Sequence, residues 1–87
     1  MVELAGARRK LCLTLGALAQ MEAGLGVSGM EALAQRVARM SAGDLMVVLA
    51  ALLCGGGEHE LAAGLERASV EPRAAAEAVA AAFRAAV

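Results

Sequence analysis

Residues 11–57 read LCLTLGALAQMEAGLGVSGMEALAQRVARMSAGDLMVVLAALLCGGG, and this stretch decides the fold. It opens on a period-two alternation, passes into helical spacing, restarts twice at a serine and stops at three consecutive glycines. Leu18, Met21 and Leu25 share one helical face, which predicts a short helix over about 17–24. Gly24 or Gly26 can take the left-handed position that ends it. Ser28-Gly29-Met30-Glu31 has the form of a capping box, in which serine and glutamate each satisfy a free backbone N–H of the first turn. The helix it opens turns Met30, Leu33, Ala34 and Val37 inward, with Gln35, Arg36 and Arg39 outward. Ser41-Ala42-Gly43-Asp44 repeats the device, and Asp44 favours the positive end of the helix dipole. From Ala42 to Cys54 the chain is apolar on every side, with LMVVLAALL at its centre. A helix apolar all round is buried all round, so this one is expected at the middle of the domain. Gly55-Gly56-Gly57 reads as a flexible C-cap and linker. A phosphate loop would need a strand before it and a Lys-Ser or Lys-Thr after it.

Outward from this stretch the patterns are weaker. Val2 and Leu4 flank Glu3, and Leu11, Leu13 and Leu15 alternate with Lys10, Cys12 and Thr14. Alternation presents one apolar face in a strand, so Val2–Leu4 and Arg9–Leu15 are expected to pair as a β-hairpin turning at Gly6. A lone hairpin is marginal in water and must lie on the helices. The alternative is one helix over residues 2–24, which Ala, Leu and Arg also suit. On the other side, Glu58 to Ala68 reads as a modest helix with Leu61 and Leu65 inward; Gly64 weakens it by about 1 kcal/mol relative to alanine. Ser69-Val70-Glu71-Pro72 opens the last helix, with proline in the first turn where its missing N–H costs nothing. Ala76, Val79, Ala80, Phe83 and Val87 form its expected apolar stripe, with Phe83 as a core anchor. The expected fold is mainly α: a single domain over residues 1–87, a small bundle of four to five helices over 17–87 with a short N-terminal hairpin, 2–15, packed on it.

Of 87 residues, 60% are hydrophobic, many of them alanine, the best helix former. A domain this small hides only roughly 60% of the surface its unfolded chain exposes, so apolar side chain is left over for a partner or for self-association. Eight basic against nine acidic residues is not a nucleic-acid footprint, and Arg8-Arg9-Lys10 reads as a solvated turn. Cys12 and Cys54 lie in no CxxC pair and read as reduced, small apolar residues of a cytoplasmic protein. The longest apolar run, Leu45 to Cys54, is half of a membrane span.

No constellation for catalysis is visible, and no cofactor or metal is expected. Glu58-His59-Glu60 looks metal-like, but helix neighbours point in different directions and cannot chelate one ion. Cys12 and Cys54 have no base beside them, and the serines are accounted for as caps. Met30 to Leu53 imitates a helix-turn-helix. The second helix of a DNA reader must offer polar side chains to bases and phosphates, whereas this one offers Met46, Val47, Val48 and Leu49.

Leu13-Thr14-Leu15-Gly16-Ala17-Leu18-Ala19-Gln20-Met21-Glu22 after a short hairpin resembles the opening of small tail assembly chaperones of phages and gene transfer agents. The likeness continues through Leu25-Gly26-Val27, Met30-Glu31-Ala32-Leu33-Ala34, Asp44-Leu45, Val48-Leu49 and the three glycines, and closes near Phe83. Leu15 departs from it, standing where a phenylalanine is expected. The resemblance implies a non-enzymatic assembly role, with a tape-measure-like protein and a tail tube protein as partners. Its alternatives are a generic helical adaptor or oligomerisation module and a small helix-turn-helix DNA-binding regulator. Helix-in-groove docking suits such a chain. Met21, Met30, Met40 and Met46 are the candidate partner-binding residues, since methionine repacks easily.

Overall fold

The computed structural model describes residues 2–85. Two short strands, β1 (Val2–Leu4) and β2 (Ala7–Arg9), are followed by α1 (Leu15–Leu25), α2 (Met30–Ala38), α3 (Ala42–Gly55) and α4 (His59–Ala63). A 3-10 turn (Leu65–Arg67) leads to α5 (Pro72–Ala85). The chain is mainly helical with a hairpin laid on it, as expected. β1 packs against α5, with Leu4 3% exposed.

The second strand differs from its expected span. β1 and β2 pair antiparallel with Leu4 opposite Ala7 and Val2 opposite Arg9, so the turn is the two residues Ala5-Gly6. Both have positive φ, 51° and 80°, the signature of the primed turns that match the twist of a hairpin. A two-residue turn brings Ala7 into the strand and ends the pairing at Arg9. Residues 10–14 form a strap across the C-terminal end of α3 instead. The Cys12 N–H donates to the Leu52 carbonyl at 3.1 Å, and Leu11 and Leu13 pack half-buried on the core. The alternation of Leu11 and Leu13 therefore serves a strap on a helix end. Leu15, read as a strand residue, is the first residue of α1 and is 83% exposed.

Helix α1 starts two residues early because Thr14 caps it, its hydroxyl accepting from the Ala17 N–H at 3.0 Å. Gly26 takes the left-handed C-terminal position at φ 70°. Gly24 matters for packing instead. A Cβ there would lie 2.6 Å from Val47 Cγ1, so its lack of a side chain lets α1 approach α3. Ala17, Met21 and Leu25 are the buried face of α1.

Helix α3 is the hub, touching α1, α4, the 3-10 turn and α5. Ser41 caps it, accepting from the Asp44 N–H at 3.2 Å. Burial is not uniform along it. Val48, Leu49, Ala51, Leu52 and Leu53 are each at most 2% exposed, whereas Leu45, Met46 and Val47 are half-buried. The expectation of burial all round therefore fails for the N-terminal half and, in the C-terminal half, at Ala50 and Cys54, which are half-buried.

The glycines at the end of α3 are not a loose linker. A Cβ on Gly55 would overlap the Cys12 carbonyl oxygen, and one on Gly56 the Lys10 carbonyl oxygen. The strap lies directly on them. Glu58 holds the strap from the far side, its carboxylate accepting from the Lys10 N–H at 3.1 Å and lying 3.6 Å from Arg9 Nη1. Arg9 also donates through Nε to the Leu4 carbonyl, so the basic triplet is partly engaged rather than wholly solvated.

Three helices deviate from their sequence patterns. The capping box at Ser28 does not form: α2 begins at Met30 with Gly29 as its N-cap, and the Gly29 N–H goes to the Glu22 carboxylate at 2.7 Å. α4 is only five residues, because the chain leaves it at Gly64 and tightens into the 3-10 turn that buries Leu65. α5 starts at Pro72 as expected but buries Ala75, Ala78, Val79 and Ala82. Ala76 and Ala80 are exposed and Phe83 is half-buried, so the helix is rolled away from the expected stripe. Its inner face sits against α3 and β1, where small side chains fit best. Val87 of that stripe lies outside the described residues.

Candidate interaction surfaces

Two apolar surfaces stay open. The first surrounds the half-buried start of α3. On one side Leu45, Met46 and Leu49 face Leu65, Val70 and Ala75 across a groove between α3 and the entry to α5. On the other, Met46, Val47 and Ala50 face Ala62 and Ala63 of α4. Met46 and Leu65 line both, so the two grooves flank one ridge. The short α4 produces this opening: five residues cannot cover a fourteen-residue helix.

The second lies between α2 and the end of α5, lined by Met30, Leu33, Ala34, Val37, Ala38 and Phe83. Five of these, all but Ala38, were expected to point inward. Leu33 alone is buried; Met30 is 61% exposed and Ala34 is exposed. Arg36, expected in solvent, sets this arrangement. Its guanidinium donates to both Asp44 carboxylate oxygens, at 2.8 and 3.0 Å, and to the Leu25 carbonyl at 2.9 Å. A bidentate pair of this kind fixes orientation as well as charge. It ties the end of α1, the last turn of α2 and the start of α3 together. The hydrogen bonds from Arg36 hold the Asp44 carboxyl below the usual carboxylate value, and the attraction of the two charges adds to this against the opposing effect of desolvation.

The four candidate methionines are scattered by the fold. Met21 is in the core at 0% exposure and cannot reach a partner while the fold is intact, because α1 points that face at α3. Met30 stands on the second surface, Met46 on the first, and Met40 is half-buried between α2 and α3. Leu45, Val47, Ala63 and Val70 belong to the first surface and had no individual signal in the sequence. The available signal was collective: more apolar side chain than so short a chain can cover.

Glu58, His59 and Glu60 do not converge. Glu58 is turned to the strap, and His59 is exposed at the start of α4. Among the described residues no group of three or more His, Cys, Asp or Glu side chains could hold a metal ion. Cys12 and Cys54 are free thiols, and no helix among the described residues is long and apolar enough to cross a membrane. α3, which a DNA reader would have to present, is the hub of the fold.

The architecture is that of a small helical protein whose distinctive surfaces are apolar grooves. The family model described as "Phage tail tube protein, GTA-gp10" matches residues 1–87, and the chain belongs to that family. No curated protein and no solved structure matches the chain significantly. Membership ties the chain to phage-type tails and their morphogenesis, which points to tail proteins as the class of partner. The likeness drawn from the sequence thus holds at the level of the tail; the family description names the tube, not a chaperone.

Proposed function

We propose that the chain is a non-enzymatic assembly chaperone that holds the tape-measure protein, tail tube subunits or both during tail morphogenesis in the cytoplasm. The observation that carries this reading is the half-open start of α3. Leu45, Met46 and Val47 belong to the most apolar helix of the chain, yet grooves flank them on two sides. An amphipathic partner helix laid on the Met46–Leu65 ridge would complete their burial. Methionine at the centre of such a surface adapts to more than one partner sequence. A second reading, that the chain is itself a tube subunit, follows from the description of its family.

Co-expression with a phage-type tape-measure protein and with a tail tube protein tests the proposal. The chain is expected to co-purify with one of them and to keep it soluble. Met46→Gln and Ala63→Glu should reduce co-purification while helical circular dichroism is retained. Mass spectrometry of finished tails separates the two readings: a chaperone is absent from them, and a tube subunit is a major component.

A further inference from the structure

The α2–α5 groove is a separate surface, and its charges specify its occupant. α2 is nine residues long and buries one side chain, Leu33. Arg36, tied to Asp44 and Leu25, fixes its roll so that Met30, Ala34 and Ala38, spaced four apart, face outward in a row. Glu31 lies at one end of this row and Arg39 at the other, each four residues from Gln35. Both are exposed, and neither joins an ion pair within the chain among the described residues. Helical geometry puts the two on the same flank of the row.

This pattern is self-complementary in one orientation. Turning a second α2 by a half rotation about an axis near Ala34 and Gln35 sets Glu31 against Arg39 of the second copy, twice over. Parallel pairing about a twofold axis would carry the charged flanks of the two copies to opposite sides of the seam, where neither Glu31 nor Arg39 meets its complement. Ala34 and Ala38 allow the helices to come close, and Met30 then enters the second copy's groove beside Phe83. We propose that the chain self-associates as a twofold dimer through antiparallel α2–α2 pairing, with each Met30 seated in the other copy's α2–α5 groove. The α3 grooves stay free for tail partners, so the dimer stands or falls separately from the chaperone reading.

Sedimentation velocity over a concentration series tests it. The unaltered chain should show a reversible monomer–dimer equilibrium, and Met30→Glu should be monomeric. Glu31→Arg and Arg39→Glu should each weaken association on the order of tenfold, since each replaces two attractions with two repulsions. The double reversal, Glu31→Arg with Arg39→Glu, should restore it. These side chains are exposed, and unchanged melting by circular dichroism checks that each variant folds. A chain that is monomeric throughout, a dimer indifferent to Met30→Glu, or a double reversal no stronger than the single ones would overturn the proposal.

Discussion

Two stretches of α3, Leu45–Val47 and Val48–Leu53, are equally apolar and differ in fate. Val48, Leu49 and Ala51–Leu53 are enclosed by α1, α5 and the strap over residues 10–14, while Leu45–Val47 and Ala50 stay half-exposed beside a helix too short to cover them. Hydrophobicity qualifies a residue for burial, but the length and placement of its neighbours decide whether burial happens. The closed half gives the domain its stability, and the open half is where a partner has something to gain.

The sharpest way to break the closed half is at its end. Gly56→Ala would drive a methyl group into the Lys10 backbone, which cannot move without lifting the strap off Glu58. A loss of about 3 kcal/mol or more is expected, read by urea denaturation. Leu52→Ala, at 0% exposure, should cost about 2–5 kcal/mol. Met46→Ala in the open half should cost clearly less, because its side chain is already partly in solvent. Equal costs at Leu52 and Met46 would erase the distinction between the halves.

Smaller effects test the pieces that hold the halves in place. Ala5 sits at φ 51°, a conformation that suits glycine or asparagine better than alanine. Ala5→Asn should therefore stabilise the hairpin by about 0.5–1 kcal/mol, seen as a higher melting temperature. The least effect concerns Asp44, at the head of the open half. Its folded pKa is lowered by Arg36, so its contribution to stability is present above the ordinary carboxylate value of about 4 and lost as pH falls through the lower folded value. Thermal melting followed from neutral to acid pH should decline less steeply in Asp44→Asn. An unchanged pH profile would mean that the Arg36 pair contributes nothing to holding α2 on α3.

Much of the fold could be read along the chain because helix starts and stops are local chemistry. Ser41 and Pro72 begin helices by satisfying or lacking particular N–H groups, and Gly26 ends one by taking a left-handed backbone. The surfaces were less legible. The Ser28 capping box reads correctly by itself, but the helix starts one residue later, with Gly29 as its N-cap and the Gly29 N–H held by the Glu22 carboxylate of α1. Arg36 looks like any outward arginine until Asp44 and the Leu25 carbonyl meet on it. Met21 and Met30 are the same residue type in helices of similar length, yet one is fully buried and the other largely exposed.

The sequence by itself determined that the chain would be helical, that α3 would be its hub, and that apolar side chain would be left uncovered. These follow from spacing, capping and composition, which act within a few residues or over the whole chain. Only the tertiary structure decided which apolar residues stay open and why Gly55 and Gly56 carry no side chain. Those outcomes depend on segments distant in sequence lying against each other: the strap on the end of α3, Arg36 on Asp44, and a five-residue α4 on a helix it cannot cover.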